Sequence, residues 1–246
     1  MAEMLNQNFE AVILDMDGVI TQTARLHAKA WKKMFDDFLQ SRDGADFKPL
    51  NLDKDYNTFI DGIPRFDGVR SFLKSRNISL PEGGPDEDGQ EPSVYSLGMR
   101  KNEIFLGLLK KEGVHVYEDT IQTVKKWKKE GLKIAVISSS KNAEYILDSA
   151  GVQNLFDVRV DGVISEKEGL SGKPAPDIFL EAAALLGAAP EKTIVVEDAI
   201  AGIKAGKSGG FGLVVGVARK GEASEMEDAK ADIVVKQLTE IYSSNK

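Results

Sequence analysis

The chain has 246 residues, enough to bury a full core in one large domain or two modest ones. Its 42% apolar and 29% charged content is ordinary for a globular protein, and a formal charge of −7 with no basic stripe argues against nucleic acid as a partner. The absence of cysteine excludes disulfides, thiolate nucleophiles and Cys-ligated zinc. No apolar run is long enough to span a bilayer and residues 1–9 carry no apolar signal core, so no membrane partner is expected and the default location is cytoplasmic.

The first predicted element is a buried strand, Ala11-Val12-Ile13-Leu14, ending in Asp15-Met16-Asp17-Gly18. A continuous apolar run stopped by a turn signal fits a parallel strand covered on both faces. A helix over 24–39 follows, with Leu26, Ala30 and Met34 on one face and Trp31, Phe35 and Phe38 beside it. From 41 to 114 there is no strand pattern. Helices are expected over 53–60, 64–77 and 97–112, and the acidic Pro/Gly run 80–92 reads as an exposed loop. Strand and helix then alternate: helix 120–130, strand 133–137, a helix from 143, strand 158–164, helix 177–186, strand 193–196, helix 199–207, and strands 211–217 and 233–235. Such alternation predicts an α/β fold built on a doubly wound parallel sheet, with the helical block inserted after the first strand as a second, smaller domain.

In sheets of this kind the chemistry lies beyond the carboxyl ends of the strands. Asp15 and Asp17 end the first strand, and Ser138, Ser139, Ser140, Lys141 and Asn142 follow the second. Glu197 and Asp198 end a later strand, and Lys173 sits in the turn Gly172-Lys173-Pro174-Ala175-Pro176. Four carboxylates at one edge require raised pKa values or a cation, and hard oxygen donors favour Mg²⁺. A carboxylate can also be a nucleophile and form an aspartyl-phosphate. Serine hydroxyls and backbone N–H groups would then hold phosphate oxygens, with Lys173 neutralising charge. Asp17, two residues beyond Asp15, can face the same centre and protonate a leaving oxygen.

Each piece also has a plainer reading. Asp-x-Asp-Gly is a common solvated turn, Ser138–Asn142 suits a helix N-cap, and Glu197-Asp198 suits a helix start. What favours the joint reading is order: each piece follows its own strand, and every piece serves one reaction.

The same residues resemble the haloacid dehalogenase superfamily of phosphotransferases over the whole chain. Asp15-Met16-Asp17-Gly18-Val19 looks like its first motif, Ser138 its second, Lys173 its third and Glu197-Asp198 its acidic fourth. Within that superfamily the chain is similar to the sugar-phosphate mutases, on Asp17 to Thr23, His27, Trp31, Gly62-Ile63-Pro64-Arg65, Arg100-Lys101-Asn102 and Ser138 to Asn142. The resemblance implies a Rossmann-like core of residues 1–22 and 116–246, and a helical cap of residues 23–115 that closes over substrate.

It also implies roles. Asp15 would accept the phosphoryl group. Asp17 would be the general acid/base and offer its backbone carbonyl to Mg²⁺, with Glu197 and Asp198 completing the metal site. Ser138, the Ser139 N–H and Lys173 would hold the transferring group, while Arg65, Ser140, Lys141 and Asn142 would grip the sugar's other phosphate. Thr23, His27 and Lys101 would couple cap closure to the placement of Asp17. Plainer readings stand beside the cap residues: Trp31 as helix packing rather than sugar contact, His27 as a satisfied core histidine, Lys101 as a solvated helix face. The implied activity interconverts β-glucose 1-phosphate and glucose 6-phosphate through a bisphosphate. The alternative is a sugar-phosphate phosphatase on the same core. A non-catalytic protein would have lost one of Asp15, Asp17, Lys173 or the acidic pair, and none is missing. The expected partner is a small phosphorylated sugar, and a monomer is expected. Three departures touch the cap: Gln22 where the mutases commonly carry an acid, Asp61 where a basic residue is usual, and Gly68 in place of a small hydroxyl residue. The acidic run 80–92 lengthens it as well.

Overall fold

The computed structural model describes residues 9–86, 91–219 and 223–242. The chain forms two compact units, Met1–Gln22 with Val114–Lys246, and Thr23–Gly113.

The first unit is a six-stranded, wholly parallel sheet of β1 (Ala11–Asp15), β2 (Lys133–Ile137), β3 (Val158–Val160), β4 (Thr193–Glu197), β5 (Leu213–Val217) and β6 (Ile233–Val235), in the order β3-β2-β1-β4-β5-β6. The strand order reverses direction at β1, so the switch point lies between β1 and β4. Ala11, Val12, Ile13 and Leu14 are fully buried, as a strand covered on both faces must be. The register sets Asp15 beside Ile137, and Leu14 beside Val196. Asp15, Ser138 and Glu197 therefore emerge together at the carboxyl edge. Behind it Ile13, Ala135, Val195, Ile203, Val214 and Phe179 form the core, with Phe179 edge-on to Phe211 at 5.9 Å.

Two predicted elements differ. The run 158–164 is a strand only to Val160; Asp161 then caps a helix, Gly162–Glu168, its carboxylate accepting from Val163 and Ile164 N–H at 3.0 and 3.1 Å. A β-branched, apolar run hid this break, because a single buried aspartate turned it from sheet to helix. The strand expected over 211–217 starts at Leu213.

The second unit has three long helices, Ala24–Asp43, Arg65–Ser75 and Val94–Glu112, and no strand among its described residues. The helix expected over 53–60 is a π turn, Leu52–Tyr56, followed by one α turn, Asn57–Phe59. Asn51 starts the π turn by accepting from both Asp53 and Lys54 N–H at 2.9 Å. Trp31, Met34, Phe35, Val69, Phe72 and Leu97 make this unit's own core, with Phe35 and Phe72 centroids 4.2 Å apart. Gly68 has a packing reason: a Cβ there would lie 3.2 Å from the Trp31 ring. Of the acidic run 80–92, residues 87–90 lie outside the described residues; before them, Glu82 takes a two-pronged contact from Arg70 at 3.0 and 2.7 Å.

Candidate active site

Three buried charges meet at the carboxyl edge of the sheet. Lys173 donates to Asp15 Oδ1 at 2.6 Å and also to Glu197 Oε1. The three residues are 3%, 6% and 0% exposed, so their charges are compensated by one another and not by solvent. Glu197 Oε2 accepts from the N–H groups of Asp198 and Ala199, both at 2.9 Å. Both glutamate oxygens are thus used, which offsets the cost of burying it.

Desolvation pushes the Asp15 carboxyl up, and although Lys173 opposes this, the nearby Glu197 and Asp17 charges leave it at about 8. Burial alone would lower the Lys173 ammonium, but Asp15 and Glu197 together outweigh it and hold the lysine firmly protonated. Asp15 ionised at neutral pH therefore calls for more positive charge than Lys173 supplies. Ligand oxygens of Asp15, Glu197 and Asp198 lie within 4.8 Å of one another, a spacing and donor set that suit a small hard divalent cation.

Asp17 is tied to the ends of both β1 and β2. Its N–H donates to Asp15 Oδ2 at 2.9 Å, while its own Oδ2 accepts from the Ser138 hydroxyl at 3.1 Å. Ser138 Oγ in turn accepts from Ser140 N–H at 3.1 Å, and Ser140 Oγ accepts from Asn142 N–H at 3.2 Å. These hydroxyls wind the loop after β2 into a run of tight turns that brings Ser138 to Asp17. Lys141 points instead to Glu166, at 2.7 Å on the exposed side of helix Gly162–Glu168.

Two glycines make the acidic pair fit, and sequence reasoning singled out neither for this. Gly18 has φ +97°, and a Cβ there would fall 1.7 Å from Asp198 Oδ2. A Cβ on Gly202 would fall 1.9 Å from Glu197 Oε1. The available signal was a glycine inside the otherwise good helix former Ile200–Ser208, where it costs helix stability and so needs a packing reason.

In the helical unit, Lys101 Nζ lies 2.7 Å from His27 Nδ1 and is 4% exposed. An ammonium can only donate, so Nδ1 accepts, and the neutral imidazole carries its proton on Nε2. Lys101 also sits 5.1 and 5.0 Å from the Trp31 and Phe105 ring centroids. It is not a solvated helix face. Trp31 is 4% exposed and stacked on Phe35 at 5.5 Å, which places it in the core of this unit, with Thr23 buried at 1% on the same helix start. Arg65 donates to Asn102 Oδ1 at 2.8 Å and to Met99 Sδ at 3.7 Å. Burial lowers its pKa, and Tyr95 nearby partly restores it.

The sequence profile of the haloacid dehalogenase-like hydrolases matches residues 9–210. A β-phosphoglucomutase of Mycobacterium bovis is 44% identical over 243 residues, which cover 96% of this chain and 93% of that protein. One of Bacillus subtilis is 35% identical, covering 94% and 91%. Among solved structures, a β-phosphoglucomutase from Clostridium difficile superposes with a TM-score of 0.74 at 28% identity, covering 95% of this chain and 93% of the other.

Proposed function

The chain belongs to the haloacid dehalogenase-like hydrolase family, and we propose that it is a Mg²⁺-dependent β-phosphoglucomutase acting through an aspartyl-phosphate. The observation that carries this is the division of labour at the end of β1. Asp15 accepts from Lys173 and shares a possible metal-binding group with Glu197 and Asp198, whereas the Asp17 side chain, two residues on, accepts from the Ser138 hydroxyl. This difference supports Asp15 as the nucleophile and Asp17 as the acid.

Asp15 attacks a phosphorus of the sugar bisphosphate. The bond from phosphorus to the sugar oxygen breaks, and Asp17 gives its proton to that oxygen. In the second half β-glucose 1-phosphate presents its free 6-hydroxyl, Asp17 takes the proton back, and the phosphoryl group moves from Asp15 to that oxygen to re-form the bisphosphate. Glucose 6-phosphate is left when the C1 phosphate is the one attacked. Lys173 offsets negative charge beside Asp15 throughout. Asp15, Glu197, Asp198 and the Asp17 backbone carbonyl would hold Mg²⁺, which would supply the remaining positive charge needed to keep Asp15 ionised and to neutralise phosphate oxygens. Ser138 and the Ser139 N–H bind the transferring group. Arg65, Ser140, Lys141 and Asn142 bind the second phosphate, and Thr23, His27 and Lys101 make Asp17 placement depend on a bound sugar. Trp31 is left to packing by its burial.

A phosphatase on the same core would let water replace the sugar hydroxyl. Near full-length similarity to mutases supports the mutase. The test supplies β-glucose 1-phosphate with a catalytic amount of the bisphosphate, and measures glucose 6-phosphate and free phosphate in one sample. Glucose 6-phosphate should far exceed phosphate, and chelation should stop both until Mg²⁺ is returned. Phosphate as the main product would replace this reading with the phosphatase.

A further inference from the structure

The turn that carries Asp17 is braced from behind by a residue no motif includes. Residues 16–21 fold back on themselves, with Gly18 N–H donating to the Thr21 carbonyl at 2.8 Å and Thr21 N–H to the Met16 carbonyl at 2.9 Å. The outer side of this turn is tied to the start of helix Glu118–Lys129. Tyr117 N–H donates to the Ile20 carbonyl at 2.9 Å, and the fully buried Thr120 hydroxyl donates to the Val19 carbonyl at 2.8 Å.

Arg219, just beyond the carboxyl end of β5, holds that hydroxyl. Its Nη2 donates to Thr120 Oγ1 at 2.8 Å, and its Nη1 donates to Asp119 Oδ2 at 2.8 Å and to the Lys236 carbonyl at 3.2 Å. Its guanidinium lies 4.0 Å from the Tyr117 ring centroid, and Asp119 Oδ2 also accepts from Leu238 N–H at 2.6 Å. The Arg219 side chain is 9% exposed and that of Asp119 16%. An isolated arginine–aspartate pair of this kind would be unremarked packing. What distinguishes it is the hydroxyl. A guanidinium only donates, so Thr120 must accept from it, and its single proton is committed to Val19. Arg219 thereby fixes the direction of the bond that pins the catalytic turn, and polarises it.

We propose that Arg219 is a positioning residue for Asp17, acting through the Thr120 hydroxyl and the Val19 carbonyl. The inference rests on the reading of Asp17 as general acid/base. Misplacing an acid by a fraction of an ångström harms only steps that need its proton. Attack of Asp15 on a phosphoryl donor with a good leaving group does not need it.

The experiment compares two donors. Acetyl phosphate loads Asp15 without help from an acid, and the rate of aspartyl-phosphate formation is followed directly. β-Glucose 1-phosphate turnover, primed by the bisphosphate, needs the proton. Arg219→Gln and Thr120→Val should lower kcat on the sugar roughly tenfold, with KM and acetyl phosphate loading within about threefold of wild type. Thr120→Ser should restore the sugar rate, because it keeps the hydroxyl. Equal losses on both donors, or no loss on the sugar, overturns the proposal. So does a Thr120→Ser variant as slow as Thr120→Val. Asp17→Asn is the benchmark: if it keeps sugar turnover, the acid–base assignment itself has failed, whereas a dead Asp17→Asn beside unaffected Thr120→Val and Arg219→Gln sinks only the brace.

Discussion

The two units hold their buried cations in opposite ways. In the sheet unit Lys173 is gripped by two buried carboxylates, Asp15 and Glu197, and each charge exists there because the others do. In the helical unit the buried Lys101 lies against an imidazole and two aromatic faces, and the half-buried Arg65 donates to an amide and a thioether. Full charges packed together admit few alternatives, since removing one strands the rest in a low-dielectric interior. Neutral partners tolerate loss and rearrangement at lower cost. The first arrangement suits a reaction centre.

The comparison is broken or sharpened by four measurements. The largest effect should be that of Asp15→Asn, because an amide cannot replace the attacking oxygen: turnover should fall by about 10⁴-fold or more, with unchanged far-ultraviolet circular dichroism and no trapped aspartyl-phosphate. Measurable phosphoryl-enzyme in that variant would place the nucleophile elsewhere.

Next comes Lys173→Met, which leaves Asp15 and Glu197 facing each other without a cation. It should lower stability by about 3–5 kcal/mol in urea titrations and turnover by roughly 10³-fold. Added Mg²⁺ should recover part of the stability. A variant as stable as wild type without metal would show that the charges are not interdependent.

Arg65→Ala tests the softer unit. Losing a charge-assisted contact to a second phosphate should cost about 1.5–3 kcal/mol in kcat/KM on a bisphosphorylated sugar, and little on acetyl phosphate. Equal losses on both would make Arg65 structural, and the contrast between the units would fall with it.

The smallest effect is in pH dependence. In chelated protein burial holds the Asp15 pKa near 8, against 3.8 unperturbed. Between those values the unfolded chain has released this proton and the folded chain has kept it. The folded state then binds more protons, so its stability falls as pH rises through that window. Urea midpoints of the metal-free protein should show this decline, and Asp15→Asn should flatten it. Identical slopes in the two proteins would refute the assignment.

Much of this was legible in the sequence because the sheet is regular. The apolar strands β1, β2 and β4 announce a parallel core, and each is stopped by the polar residues proposed to carry the chemistry. The alternation even gave the bounds of Asp177–Leu186 as they stand. Illegible were features decided by distant side chains. Nothing local says that Ser138 reaches Asp17, that Lys141 turns to Glu166, or that Gly202 yields its space to Glu197. The break at Asp161 was hidden because β-branched residues on both sides mimic one strand. The packing role of Gly68 likewise depends on Trp31, far from it in sequence.

The topology has a further consequence for synthesis. β1 is made first, yet its two partners are β2, from Lys133, and β4, from Thr193. All of Thr23–Gly113 leaves the ribosome before either exists, and it carries its own apolar core. On the nascent chain the later-numbered catalytic edge must therefore wait, while the insert settles early. The Gln22 N–H bond to the His115 carbonyl, at 2.8 Å, draws the two ends of that insert together. An insert that settles first and brings its ends side by side shortens the loop that β1 must close to meet β2. The segment that most interrupts the sheet in sequence is thus the one that speeds its assembly.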